Sequence, residues 1–442
     1  VTQTNRPFDQ VRRRRVFYIP GYDPIHPRRY RELYRKEAAR QAEVSGYEIR
    51  LSPKTPGTGR YGWHLSATQD GMTTETDMDV LVWSDIVRGS MGASIAATYA
   101  QLARTAWIYL STGTLRRLAG LRLAPIAAAL YPVLVLLAQL LCAVMVAGAT
   151  IWMMWAAINY FAMQALTMAA VRVALITASA VAGIGIVWGV LRWFRKIDNR
   201  IYAYYLMHDY AFTARWRGAY PAALEQRMAI FRGQIAAALR ENWDEVLVVG
   251  HSSGAHIGIS ILADVIKAMP NQGGAAPPIE GATAPGTATP PPTQPPALAL
   301  LTLGHVVPML SFLPRAQRLR RDLHNLSASD ALTWVDVTAQ GDGCTFALVD
   351  PVAVTGVAPK AQKWPLVFSA AFSQTMSQAE WAQARRRYFS LHFQYLCAFA
   401  RPRDYDYFRI TAGPLTLAQR YHDRPSSKNR ITRVANRFRD MA

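Results

Sequence analysis

Residues 123–171 carry no formal charge, and beyond Arg172 a second uncharged run covers 173–191. No other feature limits the fold as tightly. A bilayer offers the backbone no hydrogen-bond partners, so it is crossed by closed barrels or by helices of about 20 apolar residues. The runs predict two transmembrane helices, 126–152 and 169–191, joined by a short turn at 159–164. A helical hairpin buried in a soluble protein is the competing reading, and their length disfavours it. Trp152, Trp155, Tyr160 and Phe161 fall at one interface; Trp188, Trp193 and Phe194 fall at the other. Arg116, Arg117 and Arg122 precede the first span, and Arg192, Arg195, Lys196 and Arg200 follow the second, with only Arg172 near the far turn. Basic flanks stay cytoplasmic, so the expectation is a multi-pass membrane protein with two spans and both termini cytoplasmic, in a bacterial inner membrane. Gly185-Ile-Val-Trp-Gly189 spaces two glycines for close helix packing, which makes a homo-oligomer through these helices an expected association.

Residues 16–19, 47–51, 79–83, 246–249, 298–303, 334–338 and 365–370 read as strands, and 30–43 and 197–240 read as helical. Strands flank the uncharged region on both sides, so they share one sheet only if the chain crosses the membrane an even number of times. The expected organisation has a first core segment at 1–90 and a helical insertion at 91–240. A strand and helix follow at 241–268. The stretch 269–297 is a Pro/Gly/Ala/Thr-rich linker without periodicity, predicted to be disordered and assigned no chemistry. The rest of the core and a basic tail occupy 298–442.

The formal charge of +20 suits nucleic acid, an anionic membrane surface or acidic ligands. The basic residues are scattered and partly juxtamembrane, without a recognition motif, so the lipid bilayer is the expected partner and nucleic acid is not. Arg12 to Arg15 and Arg28-Arg29 read as a solvated face near anionic head groups. Three cysteines (Cys142, Cys344, Cys397) have no metal-ligand spacing and an odd count, which fits a reducing compartment without a disulfide framework. No signal-peptide pattern is seen in the opening residues.

The chemistry concentrates in residues 245–259. Val246 to Val249 is an apolar run suited to a strand buried on both faces. Gly250-His251-Ser252-Ser253-Gly254 follows and fits G-x-S-x-G, and then Ile257, Ile261, Leu262 and Val265 have helical spacing. Strand, tight turn and helix together are the context of a nucleophile elbow. Gly250 and Gly254 let strand and helix approach closely, which strains and exposes Ser252. The helix N-terminus directs positive dipole at charge developing beside it. A plain Gly/Ser connection is the bland alternative.

This stretch resembles the α/β-hydrolase superfamily. The resemblance implies an α/β fold with a mostly parallel sheet, into which the two-helix transmembrane hairpin is inserted, and Ser252 as nucleophile. The superfamily order of Ser, acid, His implies Asp342 as the acid, in the loop Ala339-Gln-Gly-Asp-Gly-Cys; Asp336 lies within a strand and Asp350 far along the loop. It implies His392 as the base, His422 being the other histidine beyond the acid. Pro20-Gly21-Tyr22 is similar to the turn that completes the oxyanion hole, with Pro20 where the family has His, which implies the Tyr22 and Ser253 N–H groups as donors. The implied activity is that of an esterase- or lipase-like serine hydrolase without a cofactor, cleaving a carboxylic ester or thioester of a lipid-like acyl substrate through an acyl-enzyme. An acyltransferase on the same scaffold and a non-catalytic membrane-anchored scaffold are the alternatives. The insertion begins at the carboxyl end of the 79–83 strand, which predicts a Ser252 pocket facing the cytoplasmic leaflet.

Overall fold

The computed structural model describes residues 10–54, 61–92, 94–161, 169–269, 295–385 and 389–442. Most of the expected linker at 269–297 and part of the expected turn at 159–164 lie outside them. Among the described residues eight strands form one sheet. They are β1 (Arg13–Ile19), β2 (Glu48–Pro53), β3 (Gly62–Gln69), β4 (Met72–Val80), β5 (Glu245–His251), β6 (Ala297–Leu303), β7 (Thr333–Thr338) and β8 (Leu366–Ser369). The spatial order is β2-β3-β4-β1-β5-β6-β7-β8. β4, β1, β5, β6, β7 and β8 are parallel, and β3 runs antiparallel between β2 and β4. The class is therefore α/β with a mostly parallel sheet.

Every residue of β5 is buried, as its Val/Leu run requires of a strand covered on both faces. From β1 the chain moves toward the β2–β4 side, and from β5 it moves to β6. The carboxyl ends of β1 and β5 therefore flank a topological switch point, where open α/β sheets leave a crevice for ligands.

Three expectations change. The strand expected at 79–83 ladders only to Val80, and residues 81–83 leave the sheet. A hairpin of β3 and β4 fills the region before it, where the sequence predicts no strand. Its turn residues Asp70 and Gly71 both have positive φ, 52° and 76°, matching the twist of the strands they join. The arginine run is not wholly a solvated face. Arg14 is fully buried, donating to Glu245 Oε2 and to the carbonyls of Gly413 and Leu415, each at 2.6 Å. Arg15 is buried against Asp77 (3.0 Å) and Asp79. Arg13 stays exposed, with its guanidinium 4.7 Å from the Trp243 ring centroid.

The helices through the elbow are α1 (Arg28–Ser45), α2 (Ser84–Ser90), α3 (Ile95–Ser111), α4 (Thr114–Ala119), α5 (Leu123–Phe161), α6 (Ala169–Lys196), α7 (Asp198–Ile201), α8 (Ala203–Arg215), α9 (Ala222–Ala238) and α10 (Ser253–Lys267). The chain forms two compact units. Residues 1–88, 112–125 and 216–442 make the first, and 89–111 and 126–215 make the second. α4 and α9, expected within the helical insertion, thus group with the sheet.

In the second unit α5 and α6 are each long and apolar enough to cross a membrane. Trp155 Nε1–H donates to Ser179 Oγ at 3.0 Å, tying the two together. A Cβ on Gly183 would lie 2.8 Å from Ile151 Cδ1, so Gly183 is a close-approach glycine of this pair. Gly185 and Gly189 of the G-x-x-x-G have nothing within 4 Å of a built Cβ, so among the described residues this motif makes no close contact.

Candidate active site

Ser252 follows β5 with φ 57° and ψ −121°, a left-handed φ that is uncommon and strained for a residue with a side chain. Its flanks explain how the strain is held. A Cβ on Gly254 would stand 2.1 Å from the Ile19 carbonyl oxygen, and one on Gly250 would stand 2.6 Å from the Gly254 oxygen. Only glycine lets α10 start this close to the ends of β1 and β5. The Ser252 N–H donates to Leu303 O at 2.9 Å, binding the turn to the end of β6. Ser253 opens α10, so the positive end of the helix dipole lies at the turn.

The turn after β1 meets the same serine. A Cβ on Gly21 would lie 2.9 Å from Ser252 Cβ and 3.3 Å from its Oγ. This turn is held on both sides. Trp83 Nε1–H donates to Pro20 O at 3.0 Å, while Asp23 accepts from Tyr30 Oη (2.5 Å) and the Ile25 N–H (2.9 Å). Tyr22 is buried, its ring 6.2 Å from that of Trp83. The two residues expected to donate to an oxyanion therefore belong to the two segments that converge on Ser252.

His392 and Asp342, fifty residues apart in the chain, are hydrogen-bonded: His392 Nδ1 lies 2.7 Å from Asp342 Oδ2. Asp342 is buried in the loop leaving β7, and its other oxygen accepts the Cys344 N–H at 2.9 Å. His392 sits on a 3₁₀ helix, Ser390–Leu396. With three residues per turn, positions i and i+3 eclipse, and Tyr395 Oη donates to the same Asp342 Oδ2 at 3.1 Å. His251, next to Ser252, has Nε2 2.8 Å from the His392 carbonyl oxygen, with the two rings 4.8 Å apart. A carbonyl oxygen only accepts, so His251 Nε2 carries the proton. Burial, then the neighbouring His392, lowers the His251 pKa to about 3, which keeps the ring neutral at physiological pH.

Gly304 completes the convergence. Its φ is 53°, and a Cβ there would lie 2.7 Å from Tyr395 Cε2, 3.2 Å from His392 Cε1 and 3.3 Å from Asp342 Oδ2. Leu303, the residue before it, accepts the Ser252 N–H. Ser252, His392 and Asp342 thus collect around the end of β6.

The other candidates lie elsewhere. Asp336 is buried within β7 and accepts from Thr302 Oγ1 at 2.5 Å; burial pushes its carboxyl well above the usual range. Asp350 caps a short helix through the Val352 and Ala353 N–H groups. His422 is exposed beside Asp423, and His256 packs against Tyr220. Sequence reading missed the positions of Tyr395, Gly304 and His251. The three-residue spacing of His392 and Tyr395 was the available signal for the first.

Asp342, Cys344 and His392 bring three metal-ligating atoms within 4.8 Å of one another. However, two ligands of a tetrahedral zinc ion stand about 3.3 Å apart. The 2.7 Å separation of the carboxylate and imidazole is that of a direct hydrogen bond, with a thiol beside the pair. Comparison with protein-family models, curated proteins and solved structures gives no match for this chain.

Proposed function

We propose that this chain is a membrane-anchored serine hydrolase of the α/β-hydrolase kind, cleaving a carboxylic ester or thioester of a lipid-like acyl substrate. The observation that carries the reading is the convergence of a strained serine, after the fully buried strand β5, with a histidine bonded through Nδ1 to a buried aspartate. With Nδ1 committed to Asp342, His392 Nε2 takes the Ser252 proton as Oγ attacks the acyl carbonyl, and Asp342 stabilises the resulting imidazolium. The Tyr22 and Ser253 N–H groups stabilise the tetrahedral oxyanion. His392 then protonates the departing alcohol or thiol. Water, deprotonated by the same nitrogen, attacks the acyl-enzyme and releases the acid.

The substrate class rests on α5 and α6. In this reading both cross the membrane with cytoplasmic flanks, so an acyl chain can stay in lipid. Exposing that chain to water would cost about 0.8 kcal/mol per methylene.

A fluorophosphonate probe applied to the intact chain tests the assignment. Ser252→Ala is expected to abolish labelling, and His392→Ala and Asp342→Asn to lower ester hydrolysis on the order of a thousandfold or more without loss of folded protein. Undiminished labelling of Ser252→Ala, with loss in Ser253→Ala, would move the nucleophile. Full activity in His392→Ala with inactivity in His422→Ala would move the base.

A further inference from the structure

Within the second unit a groove of about 840 Å³ is lined by Ile95 of α3 and by Trp188, Arg192, Trp193, Arg195 and Lys196 of α6. Its make-up follows from helical spacing. Trp188, Arg192, Arg195 and Lys196 recur at intervals that put them along one side of α6. Ile95 is buried and packs with Leu191 and with Ala143 of α5, giving the groove an apolar floor. Trp188 and Trp193 keep 47% and 57% of their surface exposed.

The charge of this groove is one-sided. Three cations line it and no acid does. Among the described residues none of the three side chains has an ion-pair or hydrogen-bond partner. Asp198, two residues beyond Lys196, is engaged elsewhere: its oxygens accept the Tyr204 and Tyr205 N–H groups at 3.0 and 3.2 Å. Position along the helix supplies the last constraint. Residues 170–191 rise about 33 Å at ~1.5 Å each, close to the ~30 Å hydrocarbon thickness of a bilayer. The cations begin at the next residue, at the depth of lipid phosphates.

We infer that this groove binds the phosphate-bearing headgroup of an anionic phospholipid. Arg192, Arg195 and Lys196 hold the phosphate, the guanidinium forks supplying paired donors, and Trp188 and Trp193 lie against the glycerol and first methylenes. The inference rests on the membrane reading of α5 and α6 and is independent of the hydrolase chemistry.

The test uses the full chain in a neutral detergent, titrated with phosphatidylglycerol or phosphatidylcholine, with retained lipid counted by native mass spectrometry. Phosphatidylglycerol is expected to bind on the order of tenfold more tightly. R192Q/R195Q/K196Q should erase the difference, while R232Q/R240Q, on α9 and just beyond its end, which also removes positive charge, should keep it. If the triple variant does not fold, Arg195→Gln alone should lower the preference a few-fold. Equal retention of both lipids, or an undiminished preference in the folded variants, overturns the site. Displacement of the lipid by millimolar inorganic phosphate makes a soluble anion the occupant and overturns the lipid assignment. A chain that stays monodisperse without detergent overturns the membrane reading itself, an outcome distinct from the others.

Discussion

Asp342 Oδ2 accepts two hydrogen bonds, from His392 and from Tyr395. In the proposed mechanism the tyrosine is a positioning residue: it fixes the carboxylate and tempers its pull on the imidazole proton. Tyr395→Phe is therefore expected to lower kcat about tenfold, since hydrogen bonds to charged groups are worth ~1.5–3 kcal/mol, with KM little changed. A carboxylate relieved of one donor holds the His392 proton more strongly, so the limb of the pH–rate profile that reports the base should move to higher pH. A loss of folded protein with no such move would make Tyr395 only a packing residue. Ser252 was legible because its motif, strand and helix are contiguous. Asp342 and His392 were legible only by their order after it. Tyr395 was not, because an aromatic residue in an aromatic stretch reads as core until a 3₁₀ turn aligns it with the histidine.

Among the elements, β1 is the one the sequence misrepresented most. A run of four arginines suggests solvent, yet Arg14 and Arg15 are buried because their acidic partners come from β5 and β4. No local pattern reveals a partner that distant. Glu245 is bonded twice, by Arg14 and by the Leu417 N–H at 2.6 Å. Arg14→Met should therefore strand a buried carboxylate and destabilise the fold by about 3–5 kcal/mol, whereas Arg14→Met/Glu245→Leu should regain much of that loss. Denaturant unfolding in detergent measures both; a double variant no more stable than the single one would refute the pairing argument. The apolar strands β5 and β6 were readable because a buried parallel strand has to be apolar throughout. β3 and β4 were hidden by their Thr, Glu and Asp content, although Asp70-Gly71 is the turn pair that such a hairpin favours. The glycine contact between α5 and α6 falls at Gly183 rather than at the regular motif, because local side-chain fit at Ile151 decides the approach.

For the molecule as a whole, stability against pH is a sum of opposing terms. Burial lowers the pKa of His256 to about 3. The unfolded chain takes up this proton near pH 6.5 and the folded chain does not until about 3, so His256 removes stability as pH falls below about 6.5. Asp336, whose carboxyl burial pushes upward, works the opposite way and removes stability as pH rises from about 4. The net curve hides both, but a difference isolates one: any stability advantage of the parent over His256→Gln at pH 7 should shrink at pH 5. Unfolding midpoints at the two pH values decide it, and an advantage that stays constant would mean that the imidazole titrates alike in both states. The pairing of Arg14 with Glu245, 231 positions later in the chain, also bears on how the protein is made. At roughly 5–20 residues per second, β1 emerges about 10–50 s before its neighbour β5 has been synthesised. Through that interval both long apolar helices are also produced, and β1 can pair with β4 but keeps its other edge open. Arg14 has no reason to shed water until Glu245 arrives, and a strand edge whose charge stays hydrated is a poor seed for aggregation. The arginine of the buried ion pair thus acts in time as well as in space, keeping the open edge of the first strand hydrated until β5 can dock.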